Sequence, residues 1–340
     1  MLEIYKKYAE KIFNIDSPTG YTIDCINYIN DEIKKLGFET TKANKGNLKV
    51  FLPGENHTLK RAISAHVDTL GLMVRSIDSN GKLKVTKLGG PLIPSLDGEY
   101  CKIKTREDKI YSGTILSTSP SVHVFNDASS KVRDIDNIEI RIDENVKNTE
   151  DVLKLGINNG DFIFIDPKFV ITESGFIKSR FIDDKGCVAI LLTLLNLIKN
   201  NKLKLKYDTE IYFVVYEEVG HGAANINENI NEFVTLDMGC VGLDLSGNEN
   251  KVSICAKDSN GPYDYELTTR LINLAKNNNL DYVVDIFPFY GSDIGAALHA
   301  GYDIKGALIG PGVSASHGME RTHLKGIKNT IDLISLYLEN

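Results

Sequence analysis

The stretch that decides the fold is TEIYFVVYEE at residues 209–218, in which six apolar residues are followed by two glutamates. Such a run predicts a strand buried on both faces of a sheet, because a half-exposed strand would alternate apolar and polar residues. Further strands are predicted at residues 47–52, 61–65, 233–237, 282–286 and 306–309. Helical patterns lie among them, which indicates the α/β class, with a mixed sheet that carries helices on both faces.

Helices are predicted where apolar residues recur at helical spacing. Two of them open the chain, and the second ends before Gly37, a residue suited to the left-handed conformation that follows many helices. The others are predicted at residues 186–199, 265–277, 292–299 and 324–338. Together with the apolar strands, these helices are enough to cover both faces of the sheet.

The segment from residue 71 to residue 177 has a different texture. Its apolar runs are short, and Gly, Pro, Asp and Asn separate them, which predicts a small β-rich domain of barrel or PDZ-like type. A chain of 340 residues also exceeds the roughly 250–300 residues at which a single core stops growing. We therefore predict an α/β domain of residues 1–70 and 178–340, interrupted by an insertion at residues 71–177.

Composition and charge exclude several classes of protein. The chain has 46 acidic against 39 basic residues, and the acids are scattered along it. It therefore has no general affinity for phosphate backbones or anionic lipid, and we expect neither nucleic acid nor membrane as a partner. No apolar run reaches the roughly 18 residues of a membrane span. Five isolated cysteines and the absence of a signal-peptide pattern predict reduced thiols in a cytoplasmic protein.

Acids and histidines follow the predicted strands at several places. Because ligands collect beyond the carboxyl ends of strands in an open α/β sheet, we expect these segments to meet in one crevice. Carboxylates gathered there repel one another, and divalent cations would remove that repulsion. We therefore predict a site for a pair of divalent ions. The contributing segments are residues 66–68, 183–186 and 217–220, with Asp237 and His317.

His66 and Asp68 have the spacing of a histidine and the acid that orients it. Residues two apart on an extended segment point the same way, so the Asp68 carboxylate is expected to accept a hydrogen bond from the second imidazole nitrogen. That bond would fix the tautomer of a metal-binding His66. The alternative is a buried histidine that a neighbouring aspartate merely satisfies.

Two pairs of adjacent acids carry other predicted roles. Glu217 and Glu218 directly follow the apolar strand and face opposite ways, so one can bind metal while the other transfers a proton. Asp183 and Asp184 lead into the most hydrophobic predicted helix, where an aspartate can bridge metals, cap the helix or do both. A solvated surface pair is the alternative for the glutamates, and a turn residue is the alternative for Asp237.

Taken in order, these segments resemble the glutamyl or deblocking aminopeptidases of metallopeptidase family forty-two, which are related to other two-metal exopeptidases. The resemblance covers nearly the whole chain, including residues 113–123 and 155–161 of the insertion. It continues through Gly291-Ser292-Asp293, which is similar to a Gly-Thr-Asp segment of the family. It implies a zinc-exopeptidase-like fold.

The resemblance also implies a role for each site residue. His66 and Asp237 would bind one metal ion. Glu218 and a late histidine would bind the other, and Asp183 would bridge the two. Asp68 would orient His66, and Glu217 would be the catalytic residue that transfers the proton. Zinc or cobalt suits such a mixture of imidazole and carboxylate ligands.

Substrate and assembly follow from the same resemblance. Members of the family generally remove N-terminal residues from short peptides, and they commonly form dodecamers in which the insertion mediates dimer contacts. We therefore expect an aminopeptidase with short peptide substrates that forms a homo-oligomer, in the family's manner a dodecamer built from dimers. Residues 71–177 would then form a dimerisation or lid domain.

The sequence departs from the family pattern at three places. Thr69 stands where the family often has an acid, and the turn at residues 220–223 is one residue shorter than usual. The last motif is contracted to His317-Gly-Met-Glu320, and His323 offers a second candidate ligand. We choose His317, because its distance from the predicted strand at residues 306–309 matches that of the family's ligand.

The reaction predicted for this site is peptide hydrolysis by a metal-bridged water, whose proton Glu217 accepts and passes to the leaving amine. Two alternatives remain open. A deacylase or carboxypeptidase-like amidohydrolase would use the same metal centre but recognise a different end of its substrate. A non-catalytic peptide-binding or assembly protein would have kept the fold alone, and the shortened turn after Glu218 is its only support.

Overall fold

The computed structural model describes residues 1–340, and the chain divides into two compact units. One unit combines Met1–Asp68 with Lys168–Asn340, and the other is Thr69–Pro167. The second unit ends at Pro167 and not at residue 177. The reason is that the strand Phe176–Ser179 pairs with a strand near the C-terminus, which places it in the first unit.

Seven α-helices are present, and every helix expected from the apolar spacing is among them. They are α1 (Leu2–Ile12), α2 (Ile23–Lys35), α3 (Thr149–Lys154), α4 (Ile182–Lys199), α5 (Tyr265–Asn277), α6 (Asp293–His299) and α7 (Leu324–Glu339). The short helix α3 is the one that the sequence pattern does not predict. None of the seven combines the length and apolar character that crossing a membrane requires.

Nineteen strands complete the secondary structure. They are β1 (Thr41–Lys42), β2 (Leu48–Leu52), β3 (Asn56–His66), β4 (Gly71–Ile77), β5 (Leu83–Leu88), β6 (Tyr100–Lys104), β7 (Ile110–Ser117), β8 (Ile138–Ile142), β9 (Phe162–Ile165), β10 (Val170–Ile171), β11 (Phe176–Ser179), β12 (Tyr207–Val214), β13 (Glu232–Leu236), β14 (Gly239–Cys240), β15 (Val252–Asp258), β16 (Gly261–Pro262), β17 (Tyr282–Ile286), β18 (Lys305–Val313) and β19 (Glu320–His323). The central strands β12, β13 and β18 are buried along most of their length, as an apolar run predicts.

A ten-stranded mixed sheet forms the centre of the first unit. Its main order is β1-β2-β12-β3-β13-β18-β15-β16, with β14 paired to β18 and β17 paired to β15. Strands β12, β3, β13 and β18 run parallel to their neighbours within that group, whereas β2 is antiparallel to β12 and β15 is antiparallel to β18. The predicted mixed α/β sheet is confirmed.

Helices cover both faces of this sheet, and strand β3 shows why. Ile63 belongs to the large core cluster that contains α1, α2, α4 and α7. Its neighbour Ala62 points to the opposite face and belongs to a second cluster with Ile294 and Ala297 of α6. Because successive side chains of a strand alternate between faces, the uninterrupted apolar runs supply residues to two cores at once.

Strand register brings the ends of the parallel strands together. His66, the last residue of β3, lies opposite Val214, the last residue of β12. Leu236 at the end of β13 lies opposite Ile309 of β18. The chain segments that follow these residues therefore leave the sheet at the same edge, where ligands of open α/β sheets collect.

The Thr69–Pro167 unit is a closed barrel of six strands in the order β4-β5-β8-β7-β6-β9. The barrel alternative of the sequence prediction is thus confirmed for the β-rich insertion. Within it, Gly113 of β7 is required by close packing, because a Cβ there would lie 2.9 Å from the carbonyl oxygen of Arg141. Closure leaves the barrel without an unpaired strand edge.

Candidate metal centre

His66 is the buried histidine of the site, and its hydrogen bonds define its tautomer. Nδ1 lies 2.9 Å from the main-chain oxygen of Asp68, while Nε2 lies 3.0 Å from Oδ1 of Asp183. A carbonyl oxygen only accepts, so Nδ1 carries a proton. Nε2 faces the Asp183 carboxylate, and so close an approach of these two groups requires a second proton or a cation between them.

Asp183 faces two histidines with its two carboxylate oxygens. Oδ1 lies 3.0 Å from Nε2 of His66, and Oδ2 lies 3.5 Å from Nε2 of His317. Glu218 is the next acid on the second side, with Oε2 3.8 Å from the same His317 nitrogen. Burial opposes ionisation of Asp183, but the hydrogen bonds from His317 and His66 lower its pKa.

Two groups of candidate ligands share His66. One contains Asp184 and Asp237, the other contains Asp183 and Glu218, and within each group the ligand atoms lie within 4.8 Å of one another. Asp184 also accepts the main-chain N–H of His66 at 3.1 Å. Neither Asp183 nor Asp184 caps α4 through its side chain. The structure thus brings together the residues that the sequence selected, and it places Asp184 in one of the two groups.

Asp68 differs from the sequence-based expectation. Its carboxylate was expected to hold the imidazole of His66, but Oδ1 lies 3.8 Å from Nδ1 and the main-chain oxygen takes that place. The carboxylate instead accepts the main-chain N–H groups of Glu217 at 3.1 Å and Glu218 at 3.3 Å, and the hydroxyl of Thr19 at 2.8 Å. The reason is that β3 ends at His66, so the side-chain alternation of a regular strand no longer sets the direction of Asp68.

The two glutamates lie on a short 3-10 turn, Glu217–Val219. Oε2 of Glu217 lies 3.7 Å from Nε2 of His66. Burial raises the pKa of Glu217, and the charge of Asp237 adds to this against the opposing charge of His66. Burial and the charge of Asp183 likewise raise the pKa of Glu218. Both carboxyl groups therefore hold protons more firmly than exposed glutamates do.

Crowding of buried acids is the main electrostatic feature of the site. Burial and the charge of Asp183 raise the pKa of Asp237 to about 8. Oε1 of Glu218 and Oδ1 of Asp184 are buried without any hydrogen-bond partner. Buried polar atoms are rarely left unpaired, and such atoms beside imidazole nitrogens fit a divalent cation.

Glu320 and His323 take different places near the C-terminus. Glu320 accepts the main-chain N–H of His317 at 2.9 Å and that of Asp183 at 3.0 Å. His323 instead accepts the N–H of Lys325 at 2.9 Å as the cap of α7. Of the two late histidines only His317 approaches Asp183. The role of Glu320 was not predicted, although its place in the last motif was the signal that could have found it.

The shortened turn after Glu218 is held at its far end by three polar side chains. Asp293 accepts the N–H of Ala223 at 3.0 Å, and Asn47 donates to the carbonyl oxygen of Gly222 at 3.0 Å. The ammonium group of Lys45 donates to the same carbonyl oxygen and to that of His221. A Cβ at Gly222 would lie 2.3 Å from Asp293. Close packing therefore leaves no room for a side chain at position 222.

Left-handed backbone occurs at three positions beside the site. Phe181 and Tyr216 each have φ of 68° and precede the aspartate and glutamate pairs, and His317 has φ of 63°. Each such residue costs on the order of 1–3 kcal/mol and persists only where surrounding contacts impose it. Their placement is typical of a functional site.

The acids open into a cavity of about 360 Å³. Asp183, Glu217, Glu218, Asp237 and His317 line it. Its lining also includes Asn260, Phe289, Tyr290, Gly291, Gly295 and His299. A cavity of this size beside a cluster of acids with raised pKa values has the usual features of an enzyme site.

Most of the chain matches one known protein family. The family described as M42 glutamyl aminopeptidase matches residues 46–333. The chain belongs to this family. It is 44% identical over 332 residues to "Putative aminopeptidase YhfE" of Bacillus subtilis (strain 168), which covers 97% of this chain and 96% of that protein. Membership of the M42 family identifies the chain as a peptidase, as the sequence analysis predicted.

Solved structures share the fold of this M42 chain. The dodecamer PhTET1-12s has a TM-score of 0.84 at 23% identity, over 99% of this chain and 98% of that one. The TET1 peptidase of Pyrococcus horikoshii, which can assemble into a tetrahedron or a large octahedral shell, has a TM-score of 0.85 at 23% identity, over 98% and 99% of the two chains. At this identity the likeness shows the fold alone.

Proposed function

We propose that this chain is a two-metal aminopeptidase that removes N-terminal residues from short peptides. The observation that carries the proposal is the carboxylate of Asp183, whose two oxygens face two histidines, His66 at 3.0 Å and His317 at 3.5 Å. A carboxylate in this position can serve two cations, each completed by its own imidazole. Membership of the M42 family supports the same reading.

The residues around Asp183 fit such ions. His66 and Asp237 would hold one ion, and Glu218 and His317 would hold the other. The protonated Nδ1 of His66 leaves Nε2 free as a ligand, and the unpaired oxygen of Glu218 is available as another. When bound, zinc or cobalt would polarise the scissile carbonyl and lower the pKa of a water molecule.

The chain's own contribution to the reaction is orientation and proton transfer. The main-chain oxygen of Asp68 fixes the tautomer of His66, and Glu320 fixes the main chain at Asp183 and His317. Glu217 lines the cavity and has a raised pKa, which suits a group that accepts a proton at neutral pH and then donates it to the leaving amine.

We also propose a homo-oligomer, with a dodecamer built from dimers as its expected form. Relatives of the same fold support this, since PhTET1-12s is a dodecamer and the Pyrococcus horikoshii peptidase forms larger shells. The Thr69–Pro167 unit exposes three valines, Val122, Val124 and Val132, at 70%, 74% and 65% of their surface. A second copy that covers them would give this unit its dimerisation role.

Metal analysis coupled to a substrate panel tests the proposed activity. Protein purified without chelator is expected to contain about two equivalents of divalent metal per chain, and to hydrolyse peptides with a free N-terminal amine after zinc or cobalt is added. The matched substrates are the same residues with an acylated amine. Hydrolysis of the acylated set alone would replace the proposal with the deacylase alternative.

A further inference from the structure

We infer that Asn260 determines which N-terminal residues the enzyme accepts, because its side chain forms the wall between the catalytic cavity and a second cavity. The inference deepens the proposed aminopeptidase function and rests on it. The substrates that we expect are peptides that begin with a short polar residue such as Ser, Asn or Asp. The argument starts from a second cavity that lies behind Asn260.

The two cavities are neighbours that share only two lining residues. The catalytic cavity has a volume of about 360 Å³, and the second has about 240 Å³. Asn260 and Gly295 line both, while Leu298 and Ile304 line the second alone. A single side chain, that of Asn260, therefore separates the space beside the acids from further space between β16, α6 and β18.

Close packing on α6 holds the side chain of Asn260 in this position. A Cβ at Gly295 would lie 2.6 Å from Nδ2 of Asn260, and a Cβ at Gly291 would lie 3.5 Å from it. Glycine is less favourable than alanine inside a helix, so its presence at position 295 has a packing reason. The amide fits against the bare main chain of the helix.

The main chain at Asn260 is fixed by a buried acid. Its N–H donates to Oδ1 of Asp258 at 2.8 Å, and Oδ2 of Asp258 accepts the hydroxyl of Tyr263 at 2.8 Å. That hydroxyl lies 2.8 Å from Oγ of Ser292, just before α6. Hydrogen bonds therefore connect the turn that carries Asn260 to the start of α6, the helix that its side chain contacts.

The chemistry of the cavity wall at Asn260 favours substrates whose first residue has a short polar side chain. The side-chain amide of Asn260 makes no hydrogen bond within the protein, so its donor and its acceptor are available to a substrate in the cavity that it lines. Apart from the acids of the metal centre, the catalytic cavity contains no carboxylate. A hydroxyl, amide or carboxylate on a short substrate side chain can hydrogen-bond to the Asn260 amide, whereas a bulky ring would collide with the Asn260 side chain.

Substitution of Asn260 tests the inference in both directions. Asn260→Ala joins the two cavities, and we expect kcat/KM for N-terminal Phe relative to N-terminal Asn to rise at least tenfold. Asn260→Gln lengthens the side chain between them, and we expect the same ratio to fall. Leu298→Ala is the matched control, since it enlarges the second cavity while the Asn260 side chain stays, and it should leave the ratio unchanged.

The outcomes separate this inference from the proposed function. Hydrolysis by the unaltered enzyme with a ratio that Asn260→Ala does not change, or that Leu298→Ala changes equally, overturns the inference alone. Failure of the unaltered, metal-loaded enzyme to release any N-terminal residue from the peptide panel overturns both. A ratio that moves upward in Asn260→Ala and downward in Asn260→Gln supports the role of Asn260.

Discussion

The carboxylate of Asp68 accepts the main-chain N–H of Glu217 at 3.1 Å. Its second oxygen accepts the N–H of Glu218 at 3.3 Å and the hydroxyl of Thr19 at 2.8 Å. Asp68 therefore holds the turn that carries the proposed base and one proposed ligand. Its main-chain oxygen, and not its side chain, takes the hydrogen bond of His66.

Replacing Asp68 with Asn should reduce turnover with little change in folding. The amide nitrogen cannot accept an N–H, so one of the two main-chain hydrogen bonds is lost, at a cost of about 1.5–3 kcal/mol, or roughly 10–100-fold in kcat. Kinetics, metal analysis and circular dichroism would be measured together. Thr19→Val removes only the hydroxyl donor and should have a smaller effect. Unchanged kcat in Asp68→Asn would contradict the assignment.

Replacing Glu217 with Gln should remove turnover and leave the metal content unchanged. Gln has nearly the same size but cannot accept a proton, and general-base catalysis is worth about 10²–10⁴-fold. The measurements are kcat under saturating peptide and metal content per chain. Near-normal activity would exclude Glu217 as the proton-transfer group, whereas loss of metal would indicate a ligand.

Replacing Glu320 with Gln should weaken metal retention. Both its oxygens accept main-chain N–H groups, from His317 and Asp183, and an amide can accept only one of them. Metal content would be followed during dialysis against a weak chelator. Glu249→Gln is the control, because Glu249 pairs with Arg321 outside the acid cluster. Equal metal loss in both variants would argue against the proposed support role.

The metal-free protein should lose stability as pH rises. The pKa of Asp237 and that of Glu320 are both raised to about 8, by burial and then by the charge of Asp183. An unfolded acid ionises near pH 4, so between about pH 4 and pH 8 the folded state binds more protons than the unfolded state. The free energy of unfolding must then fall across this window.

Thermal unfolding of metal-stripped protein between pH 5 and pH 8 measures this effect. Metal-loaded protein is the matched sample, and its midpoint should vary less, because cations replace the protons between the acids. A midpoint of the stripped protein that rises toward pH 8 would show that the acids are not protonated in the folded state.

Replacing Val124 with Asp should weaken the proposed assembly. This side chain is 74% exposed in the isolated chain, and a charge placed in an apolar contact between copies is costly. Light scattering after gel filtration would report the mass. Leu243→Asp is the control, since Leu243 is fully exposed in the other compact unit. An unchanged mass in Val124→Asp would remove this surface from the interface.

Much of the fold was predictable because it depends on local patterns. Apolar runs located β12, β13 and β17, and helical spacing located α5 with the bounds that the structure has. Strand β15 was missed, although it is mostly buried, because Ser253 and Lys257 interrupt its apolar pattern. Its place beside β18 depends on pairing with a distant segment, which no local pattern contains.

The sequence by itself selected most of the residues that meet at the candidate site, because strand ends, adjacent acids and their order along the chain can be read without the fold. Only the tertiary structure decided what each side chain contacts. In the folded chain the Asp68 carboxylate accepts a hydrogen bond from the glutamate turn, and His317 rather than His323 lies beside Asp183. Glu320 accepts the main-chain N–H groups of both His317 and Asp183. Apart from the local bond between Glu320 and His317, these contacts join segments more than a hundred residues apart, and their geometry is set by strand register and turn conformation.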